Sequence, residues 1–306
     1  MKERWLWAGI IISSASWIGN SFYYQSKQIE HPIFLEHFYE ASDDGKQYLK
    51  FYYLANRNDK EDVQSVRIKD AVLFPYSRDD FMSGENTPPV EQVYTHQDLK
   101  VFTVSLEDLL SQMNNKEAFS FNKIKVAMNN GQTFTADIGE VTINKTYKEG
   151  KILEQQIASS DNLSDIAIYQ ALKPITLTSI SLPFDKETER LVSVKANTNQ
   201  KALVQIKNNL SGDGPSSWLK HNEKNDDGFQ LIAPHKKFSI RLKKKDWFEI
   251  VAKSKPNTAA FGEFSIKLHG TSQGKPAVSN VWVTLKPVLS QNDIDRIISK
   301  NGVREK

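Results

Sequence analysis

The sequence predicts a mainly β protein: an N-terminal transmembrane helix, two β-rich extracytoplasmic domains, the second β-sandwich-like, and a few short helices. Three observations carry that reading. Residues 5–24 run without a charge, alternation with period two dominates from residue 29 onward, and turn-forming residues cut the second half into short, evenly spaced runs.

The first segment is Lys2-Glu3-Arg4 followed by WLWAGIIISSASWIGNSFYY. Twenty residues at about 1.5 Å each make a helix of roughly 30 Å, the thickness of a bilayer's hydrocarbon. Trp5 and Trp7 stand at one end and Trp17, Phe22, Tyr23 and Tyr24 towards the other, where amphipathic rings favour the headgroup level. Lys2 and Arg4 place the N-terminus inside and the rest outside. Two other readings compete. In one, a signal peptide is cleaved near Ala15, after Ser13-Ser14, and the chain is secreted. In the other, the segment is a core helix, which should show a polar face.

Residues 29–147 read as an acidic β-rich domain with one helix. Tyr48 to Asn56 is apolar on both faces, as a central strand requires. Val63 to Lys69 alternates, and Ile124, Val126 and Met128 share a face before Asn129-Asn130-Gly131 turns the chain into Thr133 to Asp137. Glu140 to Lys145 follows as a further strand. Ser105 caps a helix whose apolar stripe is Leu106, Leu109, Leu110 and Met113. Tyr76 to Val90, with Pro88-Pro89, is a long loop.

Residues 148–173 read as a polar joint, with Ile166 to Leu172 ambiguous between strand and helix. Residues 174–288 follow as a basic, β-sandwich-like domain. Its expected strands are Ile175 to Phe184, Leu191 to Ala196, Ala202 to Lys207, Lys237 to Lys243, Trp247 to Lys253, Glu263 to His269 and Val278 to Leu285. Residues 289–306 hold a short helix, with Ser290 as cap, Asp293 three on, and Ile294, Ile297 and Ile298 as its face.

Composition narrows the functions. The chain has 306 residues, of which 39% are hydrophobic, enough to bury a core and to exclude a disordered or fibrous protein. It has no cysteine, which removes disulfide scaffolds, Cys-ligated metals and thiol nucleophiles. The net charge of +3 is too small to indicate nucleic-acid binding, but it conceals a cancellation. Residues 25–150 carry a net −6 and residues 151–306 a net +8, so any anionic partner belongs to the second half.

No HExxH, glycine-rich phosphate loop or GxSxG elbow occurs, and no cofactor is expected. His31 and His37 are too far apart along a strand, about 20 Å, to share a metal. Ser120-Phe121-Asn122-Lys123 and Ser160-Asp161-Asn162 spell SxxK and SDN, but SxxK needs a helix and no KTG accompanies them. The acidic turns Asp43-Asp44-Gly45 and Asp226-Asp227-Gly228 read as plain turns ahead of calcium loops.

One pattern remains. In His235 to Asp246, Phe238, Ile240 and Leu242 face one way and Lys237, Arg241, Lys243 and Lys245 the other. Such a row is either a solvated outer face or a contact for anionic material. The functional expectation is an anchored interaction protein of the cell envelope. It holds membrane lipid through residues 5–24 and meets an anionic envelope polymer or acidic protein through the four basic residues. The alternative is an envelope hydrolase whose carboxylates converge only in three dimensions.

Overall fold

A computed structural model describes residues 2–42, 48–76, 90–112, 118–144, 152–160, 164–209, 229–234, 236–255, 259–286 and 288–302. The fold is mainly β. Helix α1 (Lys2–Ser26) forms where expected. From Trp7 onward its apolar side chains point outward on every side: Trp17 is 81% exposed, Ile12 and Phe22 each 69%. Among the described residues, no helix is long and apolar enough to cross a membrane. Ser13, Ser14, Ser16, Asn20 and Ser21 dilute the apolar run of α1, which is the physical reason it falls short of the expected span.

The last turn of α1 is fastened to the body. The rings of Tyr23 and Tyr24 each meet His96 edge-on, with centroids 5.8 Å apart. Gln97 Nε2 donates to the Lys27 carbonyl at 2.7 Å, and Asn56 brackets Ile29 with two hydrogen bonds of 2.8 Å.

Among the described residues three sheets form the body. The first has the order β1 (Ile33–Phe34), β3 (Tyr48–Asn56), β7 (Gln97–Ser105), β6 (Val90–Val93). The second runs β15 (Ile240–Leu242), β12 (Ile175–Ser181), β17 (Ala260–Ser272), β2 (Glu36–Ser42), β9 (Thr133–Asn144), β8 (Phe119–Met128), β4 (Val63–Ile68), β5 (Ala71–Leu73), with β18 (Lys275–Leu285) also on β17. The third is β10 (Leu153–Ser160), β11 (Ser164–Ala171), β16 (Trp247–Ser254), β13 (Val192–Asn197), β14 (Phe229–Ile232).

The second sheet belongs to both halves of the chain, and β17 is the reason. β18 takes one of its edges along Gly262 to Ser272. On the other edge, Ala260 to Glu263 pair in parallel with β2, and Lys267 to Thr271 pair antiparallel with β12. Between those stretches Ser265 has no strand partner on that edge. Its N–H donates instead to Glu40 Oε2 at 3.0 Å, while Asn144 Nδ2 donates to Glu40 Oε1 at 3.0 Å. A buried carboxylate thus closes the gap in the ladder.

Two cores lie on either side of that joint. Phe51, Tyr53 and Phe102 of the first sheet pack against Val66, Ile124 and Ile138 of the second. Val194, Phe248 and Ile250 of the third sheet pack against Leu177, Phe264 and Leu268 of the second. Each pair of layers closes face to face, as in a β-sandwich. Among the described residues four helices decorate the body: α2 (Leu106–Gln112), α3 (Asp185–Leu191), α4 (Gln200–Asn209) and α5 (Gln291–Gly302).

Several expectations meet the structure directly. β3 covers Tyr48–Asn56, and Ser105 Oγ accepts the Asp108 N–H at 3.1 Å to cap α2. At α5, Ser290 Oγ and the Asp293 carboxylate exchange hydrogen bonds with each other's backbone N–H, a reciprocal capping box that brings Ile294 into the core. Gly131 takes φ 89 in the Asn-Gly hairpin between β8 and β9.

Others change. Thr133 to Asn144 is one strand, because a bulge at Gly139 (φ 82) absorbs the break that the sequence suggests. A Cβ there would lie 2.5 Å from the His37 carbonyl oxygen, so glycine is required for the β2–β9 approach. Residues 153–160, expected within the joint, form edge strand β10, whose exposed Glu154, Gln155 and Gln156 suit a solvated edge. Residues 202–207 are helical, not extended. Asn199 Oδ1 accepts the Ala202 N–H, and the helix fully buries Leu203 beside Ile166, Ile168 and Trp247. Burying one leucine contributes roughly 1.5–3 kcal/mol, more than the β preference of an Ala-Val-Ile alternation. The Tyr76 to Val90 loop lies largely, and the two acidic turns wholly, outside the described residues.

Candidate functional site

The four basic residues sit on the outer strand of the second sheet and the turn that leaves it. β15 is only three residues long. Ile240 and Leu242 enter the core, and Arg241 opposite Thr176 points away from it. Lys237 precedes the strand in an extended stretch that Phe238 ties to β12 through its N–H to the Thr178 carbonyl, 3.0 Å. After the strand, Asp246 Oδ2 accepts the Lys243 N–H at 2.7 Å and the Lys245 N–H reaches the Ala171 carbonyl at 2.7 Å. This tight turn sets Lys245 at φ 74, a left-handed conformation that takes it out of the row. Lys237, Arg241 and Lys243 keep the expected alternation. All four are exposed, and among the described residues none of their charged groups forms an ion pair with a carboxylate.

Registers extend this edge into a broad outer face. Arg241 lies level with Thr176, Thr176 with Thr271, and Ser179 and Ser181 with His269 and Lys267. Beyond them, Asn280 lies opposite Lys267 and Trp282 opposite Ser265. Directly paired residues project to the same face, so these side chains form one surface while Leu177, Ile266, Leu268 and Val281 fill the core behind. Ser181 Oγ and His269 Nε2 are 2.7 Å apart, a hydrogen bond between residues 88 apart in sequence. Lys267 Nζ lies 3.7 Å from Glu40 Oε1, so the joint between the halves borders this face.

Chemically, a serine hydrogen-bonded to a histidine resembles the start of a nucleophilic site. Among the described residues no carboxylate holds the other ring nitrogen of His269, and the pair lies on an open sheet surface. What the arrangement does is fix two hydrogen-bonding groups between a cationic edge and an aromatic one. Lys123 of the SxxK match pairs with Asp137 at 3.4 Å. His31 stacks on Phe134, and His37 Nε2 accepts the Tyr52 N–H at 2.8 Å inside the core. Among the described residues, no group of three or more His, Asp or Glu could hold a metal ion.

A cavity of about 270 Å³ opens where β10 and β11 approach β18. Ala158, Ala167 and Ala252 leave it unfilled, Ile250 and Val283 form its floor, and Ser159, Gln155 and Trp282 stand at its mouth. The Asp165 carboxylate at its rim accepts the Thr284 N–H of the β18 edge. Behind Gln155, the Tyr169 hydroxyl is pushed up to about 12 by burial, so it stays protonated and donates to Gln155 Oε1 at 3.4 Å. Trp282 is 46% exposed and belongs to both the cavity and the outer face. Sequence reasoning missed Trp282, Ser181 and His269, because only strand pairing brings them together; the alternating exposed Trp in Val278 to Leu285 was the one local signal.

No family model and no curated protein matches the chain. Among solved structures, one that pairs a manganese lipoxygenase of Gaeumannomyces graminis with part of a zonadhesin of Komagataella pastoris is similar at 8% identity and TM-score 0.25. It covers 85% of this chain and 94% of that one. A protein of Corynebacterium diphtheriae described as membrane-anchored is similar at 12% identity and TM-score 0.23, covering 86% of this chain and 61% of that one. Likeness this slight carries no argument about function.

Proposed function

We propose that this is a membrane-attached, β-rich interaction protein of the cell envelope. In this reading α1 is embedded in lipid with Lys2 and Arg4 inside, and the body outside meets an anionic polymer or acidic protein through Lys237, Arg241, Lys243 and Lys245. The observation that carries it is the exposure of α1. A helix apolar on every side and uncovered by its own protein leaves a large hydrophobic surface that water disfavours. A polar face, which an interfacial helix needs, is missing from residues 5–24. The serines that dilute its apolarity can return their hydroxyls to the helix's own carbonyls, as Ser26 Oγ does to Tyr23 O at 2.7 Å.

The test is flotation of the full chain with vesicles of a zwitterionic phospholipid. The wild type is expected to float and to resist an alkaline wash. Ile11→Lys combined with Ile12→Lys puts two charges at the helix centre, each costing about 2.5–3.5 kcal/mol in lipid, and should leave the chain at the bottom of the gradient. A wild type that stays at the bottom would sink the proposal.

A further inference from the structure

The outer face of the second sheet has a composition that goes beyond a cationic row. At one end stands a half-exposed tryptophan beside a cavity, at the other an arginine and the lysine turn. Between them lie the hydrogen-bonding side chains of Ser179, Ser181, His269 and Asn280, with Val278 opposite His269 and Lys267 opposite Asn280. Lys267 already has Glu40 beside it. From this juxtaposition we infer that the face binds an anionic polysaccharide, with a sugar ring stacked on Trp282 and an acidic substituent met by Arg241. The inference rests on the interaction-protein reading above and names the partner class.

Three magnitudes decide for that occupant. From Trp282 to Arg241 the path crosses three strand spacings of about 4.8 Å and six residues of about 3.3 Å, roughly 25 Å in all, a length that suits a polymer and not a single small ligand. The cavity, at about 270 Å³, falls below the range of about 300–1,000 Å³ that encloses a drug-sized molecule and opens on the core side of β18, so the ligand lies along the face and not inside it. Thirdly, Arg241 stands level with Thr271, near the end of β17 remote from Ala260. Ala260 pairs with Glu36, where the chain arrives from α1, and eleven residues of strand separate the two levels by about 35 Å. The chain from α1 therefore enters the body at the end of β17 remote from the cationic edge, an arrangement that favours a ligand other than the headgroups around α1. An acidic protein would call for cations across the whole face, whereas hydroxyl, amide and imidazole groups in the middle match sugar hydroxyls.

The experiment uses the full chain in detergent micelles with three probes: polygalacturonate, neutral dextran and poly-glutamate. Polygalacturonate should bind in a salt-sensitive way, and Trp282→Ala and Arg241→Gln should each weaken it about tenfold. Both side chains lie on the surface, and an unchanged melting temperature confirms that the variants fold. Polygalacturonate affinity that ignores both substitutions overturns the inference. So does poly-glutamate binding as tight as polygalacturonate binding and indifferent to Trp282→Ala, which would make the edge a plain cationic contact. Flotation of the same preparation separates the two readings: a chain that floats but binds no glycan loses this inference alone, and one that binds glycan without floating loses only the membrane attachment.

Discussion

Glu40 is the point at which the two halves of the body depend on each other, and its removal should be felt by both. Its side chain is 11% exposed and serves three partners: Asn144 Nδ2 at 3.0 Å, the Ser265 N–H at 3.0 Å and Lys267 Nζ at 3.7 Å. A hydrogen bond to a charged group contributes about 1.5–3 kcal/mol, and a buried donor left unpaired costs about 1–3 kcal/mol. The lysine adds little, because its ammonium is half in water. Glu40→Ala strands the Ser265 N–H between two strands and the Asn144 amide beside it, so a loss of about 3–4 kcal/mol follows. Glu40→Gln keeps one acceptor and should lose about 1–2 kcal/mol. At roughly 2 °C per kcal/mol for a body of this size, the alanine variant should melt about 6–8 °C lower. Urea unfolding followed by far-ultraviolet circular dichroism and by tryptophan fluorescence measures both variants. Coincident transitions in the wild type that separate in Glu40→Ala would show the halves uncoupling. A change below about 0.5 kcal/mol in Glu40→Ala would refute the argument that this carboxylate completes the β17 ladder.

Two further outcomes follow from buried charge. Lys100 is buried with its ammonium 3.1 Å from the Asp62 carboxylate, 2.8 Å from the Asp59 carbonyl and 3.2 Å from that of Glu61. Lys100→Met should cost about 3–5 kcal/mol by leaving Asp62 unpaired, and adding Asp62→Asn should restore part of it; chemical denaturation of the double variant checks the recovery. Burial raises the Asp62 carboxyl against the lowering effect of Lys100, so in the single variant acidification through the carboxylate range should recover stability. At α5 the sign is opposite. Hydrogen bonds from Ser290 hold the Asp293 carboxyl below its usual value, so its contribution is complete above pH 4 and is lost as pH falls through the lowered folded value. Asp293→Asn should remove about 1 kcal/mol at pH 7 and flatten that acid limb in a series of melts from pH 2 to 6.

Much of the fold is legible in the residues because its signals are local. β3 shows as an apolar run, β8 and β9 as alternation around Asn-Gly, α2 and α5 as serine caps with an acid three residues on. Each depends on residues a few positions apart, and the chain's own stereochemistry decides them. The basic row is legible for the same reason, since alternation alone sends Arg241 outward and Ile240 inward. Helix α4 is where local pattern misleads, because burial of Leu203 on the third sheet outweighs the alternation.

Sequence alone therefore determined the uncharged, apolar character of residues 5–24, the β class of the rest and the cationic edge at Arg241 and Lys243. Only the tertiary structure decided that β17 joins the two halves through one sheet, that Glu40 closes its gap, and that Ser181, His269 and Trp282 share a face with Arg241. The physical reason is range. Alternation is set by the pleat of one strand, whereas pairing between strands is chosen by the burial of whole faces, and no short stretch of chain carries that choice.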